Sequence, residues 1–156
     1  MPSVELKKMS IDHAYPYDEL KPLFCRGQDT WDKFKLTLID SLNTNVILGN
    51  YTEFHRVVDL IIETVTTDID VNVTIFETNI RVIEDLLSAH ILQIRDPFAK
   101  LTPNYPCTSP FLDLARQFAD KLLPAFRATI GMPYGTVNLS MVSTKHLSHV
   151  LSVLKL

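Results

Sequence analysis

The chain has 156 residues, a length that suits one domain whose core buries roughly two-thirds of the surface its unfolded form exposes. A hydrophobic fraction of 46% against a charged fraction of 21%, with 8 Phe and 5 Tyr, excludes a disordered class. A net charge of -3 with no basic stripe excludes the electrostatic footprint of a phosphate-neutralising protein, so nucleic acid is not an expected partner.

The opening stretch MPSVELKKMSIDHAYPYDEL holds no apolar run, so neither a signal peptide nor a membrane span is expected there. The 4 glycines favour helices over tight hairpins, whose turns need positive φ. Asp18 and Glu19 read as a solvated turn or helix start. Across residues 31–48, Phe34, Leu38, Leu42 and Val46 recur every fourth position with Ile39 beside them, which predicts a helix that Gly49 ends. YTEFHRVVDLIIETV predicts a second helix, with Thr52 as N-cap and Phe54, Val57, Val58, Ile61, Ile62 and Val65 inward. So short a link makes the two helices antiparallel neighbours.

TDIDVNVTI alternates polar and β-branched residues and reads as a short extended segment. A third helix is expected from Phe76 to Ile94, stopped at Asp96-Pro97 because the residue before proline is pushed out of the α region. DPFAKLTPNYPCTSP, with four prolines, is a loop. Ser109 as N-cap and Pro110 at the first helical position open a fourth helix, with Leu112, Ala115, Phe118, Ala119 and Leu122 inward. TIGMPYGTVNL reads as an irregular connection, and STKHLSHVLSVLKL as a last helix carrying Leu147, Val150, Leu151 and Leu154 on one face.

Few residues point to chemistry by themselves. Thr74 and Glu77 have the T-x-x-E spacing of a capping box, so a helix-cap reading of Glu77 stands beside any catalytic one. Cys25 and Cys107 are too few and too far apart for a zinc site. A disulfide between them would close a loop of about 80 residues and contribute about 4 kcal/mol; in a reducing compartment they are thiols. Sequons at Asn50, Asn72 and Asn138 hint at a luminal history. His13, His55, His90, His146 and His149 are scattered and read as surface or satisfied core residues, with no third ligand beside His146 and His149. Asp68 and Asp70 in DIDVN lack the glycine and terminal glutamate of an EF-hand loop, so no metal ligands are assigned.

FETNIRVIEDLLSAHIL, KLLPAF and GMPYGTVNL, preceded by AYPYDELKPLFCRG and LTLIDSLNTNVILGN, resemble glycoside hydrolase family 47, the class I α-1,2-mannosidases, in its ER degradation-enhancing branch. The resemblance runs from about residue 12 to 139. It implies an all-α fold, here the first helix hairpins of an (α/α)7 toroid, that is, a partial (α/α) barrel. It also implies a bound Ca2+ and inverting hydrolysis of α-1,2-linked mannose on high-mannose N-glycans of misfolded glycoproteins, in the lumen of the endoplasmic reticulum. Glu77 matches the proposed general acid of the F-E-x-x-I-R motif, and Arg81 matches the arginine beside the substrate sugars.

The same resemblance sets expectations about what differs. The chain reads as a single truncated domain over residues 1–156, with a divergent tail over 140–156 where the family runs toward a T-C-T-A-G-type motif. The later catalytic carboxylates and the Ca2+ ligand are not expected within it, so the isolated chain is predicted to be inactive. A non-catalytic helical fragment binding glycoproteins or a partner is the rival reading. Glu84-Asp85 stand where the family has Gly-Gly, Asn43 where it has Asp, and Asn45 where it has Leu. A buried polar group without a partner costs about 1–3 kcal/mol, so these positions are expected to meet water.

Overall fold

A computed structural model describes residues 11–30, 34–99, 109–128 and 131–140. The start of the first expected helix at Trp31, the thiol of Cys107, and the whole tail helix with His146 and His149 lie outside those residues.

The first feature is one the glycine count argued against. Strands β1 (Glu19–Lys21) and β2 (Arg26–Gln28) pair antiparallel, Leu20 opposite Gly27. Their turn takes its positive φ from Cys25, at 47°, so no glycine is needed there. A glycine is needed within β2 instead. A Cβ on Gly27 would lie 2.2 Å from the Ala14 carbonyl oxygen, so only a residue without a side chain lets this strand approach the segment before it.

Helix α1 (Leu36–Ile47) buries Leu38, Ile39, Leu42 and Val46, as their spacing predicts, with Phe34 buried just ahead of it. Its N-terminus is capped from a distance. Lys35, with φ of 60°, provides no side-chain cap. Asp18, 3% exposed, reaches in from before β1 instead. Its carboxylate accepts from the Lys35 and Thr37 backbone N–H groups at 2.8 and 2.9 Å, and its carbonyl accepts from the Thr37 hydroxyl at 2.6 Å. The expectation of a solvated turn is therefore corrected: a buried carboxylate satisfies two of the helix's orphan donors, to which the positive end of the dipole also draws it. Burial nonetheless pushes the Asp18 carboxyl above its ordinary value, against the two N–H bonds that lower it.

Gly49, at φ of 69°, ends α1 with a two-bond cap: its N–H donates to the Val46 carbonyl at 2.9 Å and that of Asn50 to the Asn45 carbonyl at 2.8 Å. Asn50 then starts α2 (Tyr51–Thr64), accepting from the Glu53 N–H at 3.4 Å. The N-cap is thus Asn50 and not Thr52, because the chain turns so tightly that one residue closes one helix and opens the next. Phe54, Val57, Val58 and Ile61 are buried; Ile62 falls off that face and is exposed.

The extended segment forms β3 (Asn72–Thr74), and the expected irregular connection supplies its partner, β4 (Thr136–Asn138), with Val73 opposite Val137. Helix α3 covers residues 75–95 in three parts: Ile75–Thr78, a π-helical stretch Asn79–Ile83, and Glu84–Arg95. It stops at Asp96, extended before Pro97. Helix α4 (Pro110–Leu122) begins on Ser109, whose hydroxyl accepts from the Leu112 N–H at 3.4 Å. It buries Phe111, Ala115, Phe118 and Leu122 and tightens to a 3₁₀ turn over Leu123–Arg127, which contains Pro124.

α1 packs on α2 and on α3, and α3 on α4. α1 and α3 run parallel, since Asp40 meets Arg81 and Asn43 meets Asp85. α2 and α4 run parallel as well: Phe54 meets Phe111 near their starts at 6.3 Å, and Asp68 beyond the end of α2 meets Lys121 at 3.5 Å. Two parallel rows joined by hairpins form the first part of a toroid of helix pairs. On α3, Phe76, Ile80, Leu87, Ile91 and Ile94 form an exposed apolar stripe along the side facing away from the described core.

Candidate active site

Glu77 sits in the first turn of α3. Thr74 ends β3 in an extended conformation, and its hydroxyl accepts from the Glu77 N–H at 3.3 Å, half of the capping box read from the sequence. The carboxylate turns to Arg81, one helical turn on, whose guanidinium is 4.0 Å away. The Glu77 side chain is 48% exposed and lines a small hollow of about 70 Å³ with Phe34, Leu36, Val73 and Thr74. A backbone cap and a solvent-facing acid are therefore compatible: the N–H of Glu77 is used for one, its carboxylate for the other.

Arg81 lies inside the π-helical stretch, where i→i+5 bonding inserts one residue per turn and shifts the side chains that follow. From this stretch the Arg81 guanidinium reaches α1 and pairs with the Asp40 carboxylate. One turn further, Asp85 touches Asp40 and accepts from the Asn43 amide at 2.6 Å. Burial, and then the adjacent Asp40 charge, push the Asp85 carboxyl up to about 6. The site is thus a row of three acids and one base: Glu77, Arg81, Asp40 and Asp85.

Asp40 was not singled out by the sequence, and neither was the π-helical stretch. Asn43 and Asp85 were, as departures expected to meet water; they meet each other instead. Asn45 corrects that expectation more strongly, being 3% exposed with a side-chain nitrogen that has no hydrogen-bond partner. His90 is buried against Gln93 at 3.1 Å, and His55 faces the Phe98 carbonyl at 3.3 Å. Asp68 pairs with Lys121 at 3.5 Å and Asp70 accepts from the Asn138 amide at 2.9 Å. Among the described residues no group of three or more His, Cys, Asp or Glu could hold a metal ion.

The family model described as Glycosyl hydrolase family 47 matches residues 11–153. The chain belongs to glycosyl hydrolase family 47. Among its relatives, ER degradation-enhancing alpha-mannosidase-like protein 2 of Mus musculus is 54% identical over 129 residues, covering 83% of this chain and 22% of that protein. ER degradation-enhancing alpha-mannosidase-like protein 3 of Homo sapiens is 43% identical over 143 residues, with 83% of this chain and 15% of that protein covered. The chain thus spans under a quarter of the length of these relatives. Among solved structures, the alpha-1,2-mannosidase from Trichoderma reesei superposes with a TM-score of 0.75 at 27% identity, over 90% of this chain and 30% of that one. The two rows of helices are therefore part of a family 47 barrel, and the architecture read from the sequence motifs holds.

Proposed function

We propose that this chain contributes the acid-bearing part of an α-1,2-mannosidase-type site, acting on high-mannose N-glycans of misfolded glycoproteins in the lumen of the endoplasmic reticulum. The observation that carries the reading is the pairing of Glu77 with Arg81 one turn apart at the exposed start of α3, beside a hollow, in a chain of family 47. In this reading Glu77 protonates the leaving glycosidic oxygen and Arg81 binds sugar hydroxyls. Inversion also requires a second carboxylate to activate water on the opposite face of the ring, about 6.5–9.5 Å from the first. The two carboxylates described around Arg81 are engaged, Asp40 by Arg81 and Asp85 by Asn43. The isolated 156-residue chain accordingly binds α-1,2-mannobiose without cleaving it.

The rival reading, a non-catalytic fragment that binds a glycoprotein or a partner, draws on the exposed stripe beside the site, Phe76 above all. A titration of the ¹⁵N-labelled chain with α-1,2-mannobiose, with and without Ca2+, addresses both. The expected result is shifts centred on residues 74–81, loss of affinity in Arg81→Ala, retained binding in Glu77→Gln, and no release of mannose. Shifts confined to the stripe favour the rival, and turnover that Glu77→Gln abolishes refutes the inactivity of the isolated chain.

A further inference from the structure

We propose that Asp40 is the residue that positions Arg81 beside Glu77, and that Asp85, held against Asp40 by Asn43, makes this hold respond to pH. The proposal rests on the reading of Glu77 and Arg81 as the sugar-facing pair and adds to it what sets the arginine's place.

Arg81 has two acidic neighbours of unequal weight. Glu77, on the same helix, is 4.0 Å away and 48% exposed; Asp40, across the interface on α1, is in direct contact and 27% exposed. Coulomb attraction grows as distance and solvent access fall, so the α1 partner fixes the guanidinium and the Glu77 contact follows from it. Arg81 also sits in a π-helical stretch, a rare helix geometry that is frequent at functional sites.

Asp85 is the third party. It lies one turn beyond Arg81 on α3, within hydrogen-bonding reach of Asp40. Two carboxylates this close resist being ionised together. With Asp85 protonated, its O–H donates to Asp40, which offers its remaining charge to Arg81. With Asp85 ionised, it repels Asp40, whose carboxylate is the one that holds Arg81. The arginine is therefore held differently on the two sides of the Asp85 titration. The charged groups facing this cluster are Asp40 from α1, and Glu77, Arg81 and Glu84 from α3; the charge of Asp40 is also felt by Asp18, as is that of Asp29.

The device is built from the two departures noted in the sequence. The Asn43 amide donates to Asp85 at 2.6 Å, so position 43 holds that acid and adds no further negative charge to the cluster. Without a carboxyl group at position 85 there would be no acid beside Asp40 to titrate.

The test follows the Arg81 Nε–H resonance of the ¹⁵N-labelled full chain from about pH 4.5 to about pH 8. In the unsubstituted protein the resonance is expected to move with a midpoint near the value of about 6 given by the Asp85 environment. Asp85→Asn should remove that step and leave Arg81 in place, and Asp40→Asn should move the resonance to the position of a solvent-exposed arginine at every pH. A flat profile in the unsubstituted protein, a step that persists in Asp85→Asn, or an Arg81 resonance unmoved in a folded Asp40→Asn overturns the proposal. If Asp40→Asn does not fold, the Asp85→Asn comparison decides alone. Mannobiose binding is read separately, so failure of the sugar-site reading and failure of this inference are distinguishable.

Discussion

Asn45 offers the sharpest quantitative test of the packing. It lies on the buried face of α1 between Leu42 and Val46, 3% exposed, with a side-chain nitrogen that has no hydrogen-bond partner. An unpaired buried amide costs about 1–3 kcal/mol, and leucine has nearly the same shape. Asn45→Leu removes that cost, adds apolar burial and raises helix propensity by a few tenths of a kcal/mol, while some strain from the second methyl offsets part of the gain. The backbone carbonyl of residue 45 keeps its bond to the Asn50 N–H, so the turn into α2 is untouched. The net expectation is a gain of about 2 kcal/mol, which for a domain of this size raises Tm by about 4–8 °C. Urea denaturation followed by circular dichroism, with calorimetry for Tm, measures both. An unchanged or lower midpoint at constant m-value would refute the reasoning, because it would mean that the amide is satisfied or that leucine does not fit.

Asp18→Ala should destabilise by about 2–4 kcal/mol, since it orphans the two N–H donors at the start of α1, and a loss under about 0.5 kcal/mol in urea melts would contradict the remote cap. Gly27→Ala should disrupt the β1–β2 hairpin, because its Cβ would meet the Ala14 carbonyl oxygen at 2.2 Å; retained cross-strand amide contacts by NMR would count against this. Stability should also rise as pH falls. Asp85 holds its proton more tightly folded, at about 6, than unfolded, at 3.8, so the folded state gains from pH 7 down through 6 and the gain is complete below about 4. The full shift corresponds to about 3 kcal/mol, which solvent screening at this partly open position reduces to about 1–2. Asp18, also raised, adds to the trend, whereas Asp96, lowered by its bond from Tyr51, opposes it. Urea midpoints in the unsubstituted protein and in Asp85→Asn, across pH 5–7.5 or so, separate the Asp85 contribution; a slope unchanged by the substitution would be the wrong outcome.

Where the chemistry is local, the sequence could be read directly. The four-residue spacing of Phe34, Leu38, Leu42 and Val46 settles which side of α1 is buried, and Gly49 and Pro97 stop helices through constraints that lie within one or two residues of themselves. The F-E-x-x-I-R motif likewise pointed to the start of α3, because an acid and an arginine at i and i+4 share a helix face wherever the helix goes. The partners of those groups were decided elsewhere. Asp18 caps a helix whose N-cap residue lies 17 positions later, Asn43 binds an acid 42 positions away, and Asp40 claims Arg81 across 41. Such pairs form only when α1 and α3 are laid parallel and in register, and that register comes from the packing of both rows of helices. Local patterning thus determined the main helices and the acid at the head of α3, whereas the folded arrangement alone determined the two strand pairs and which charges that acid's neighbours answer to.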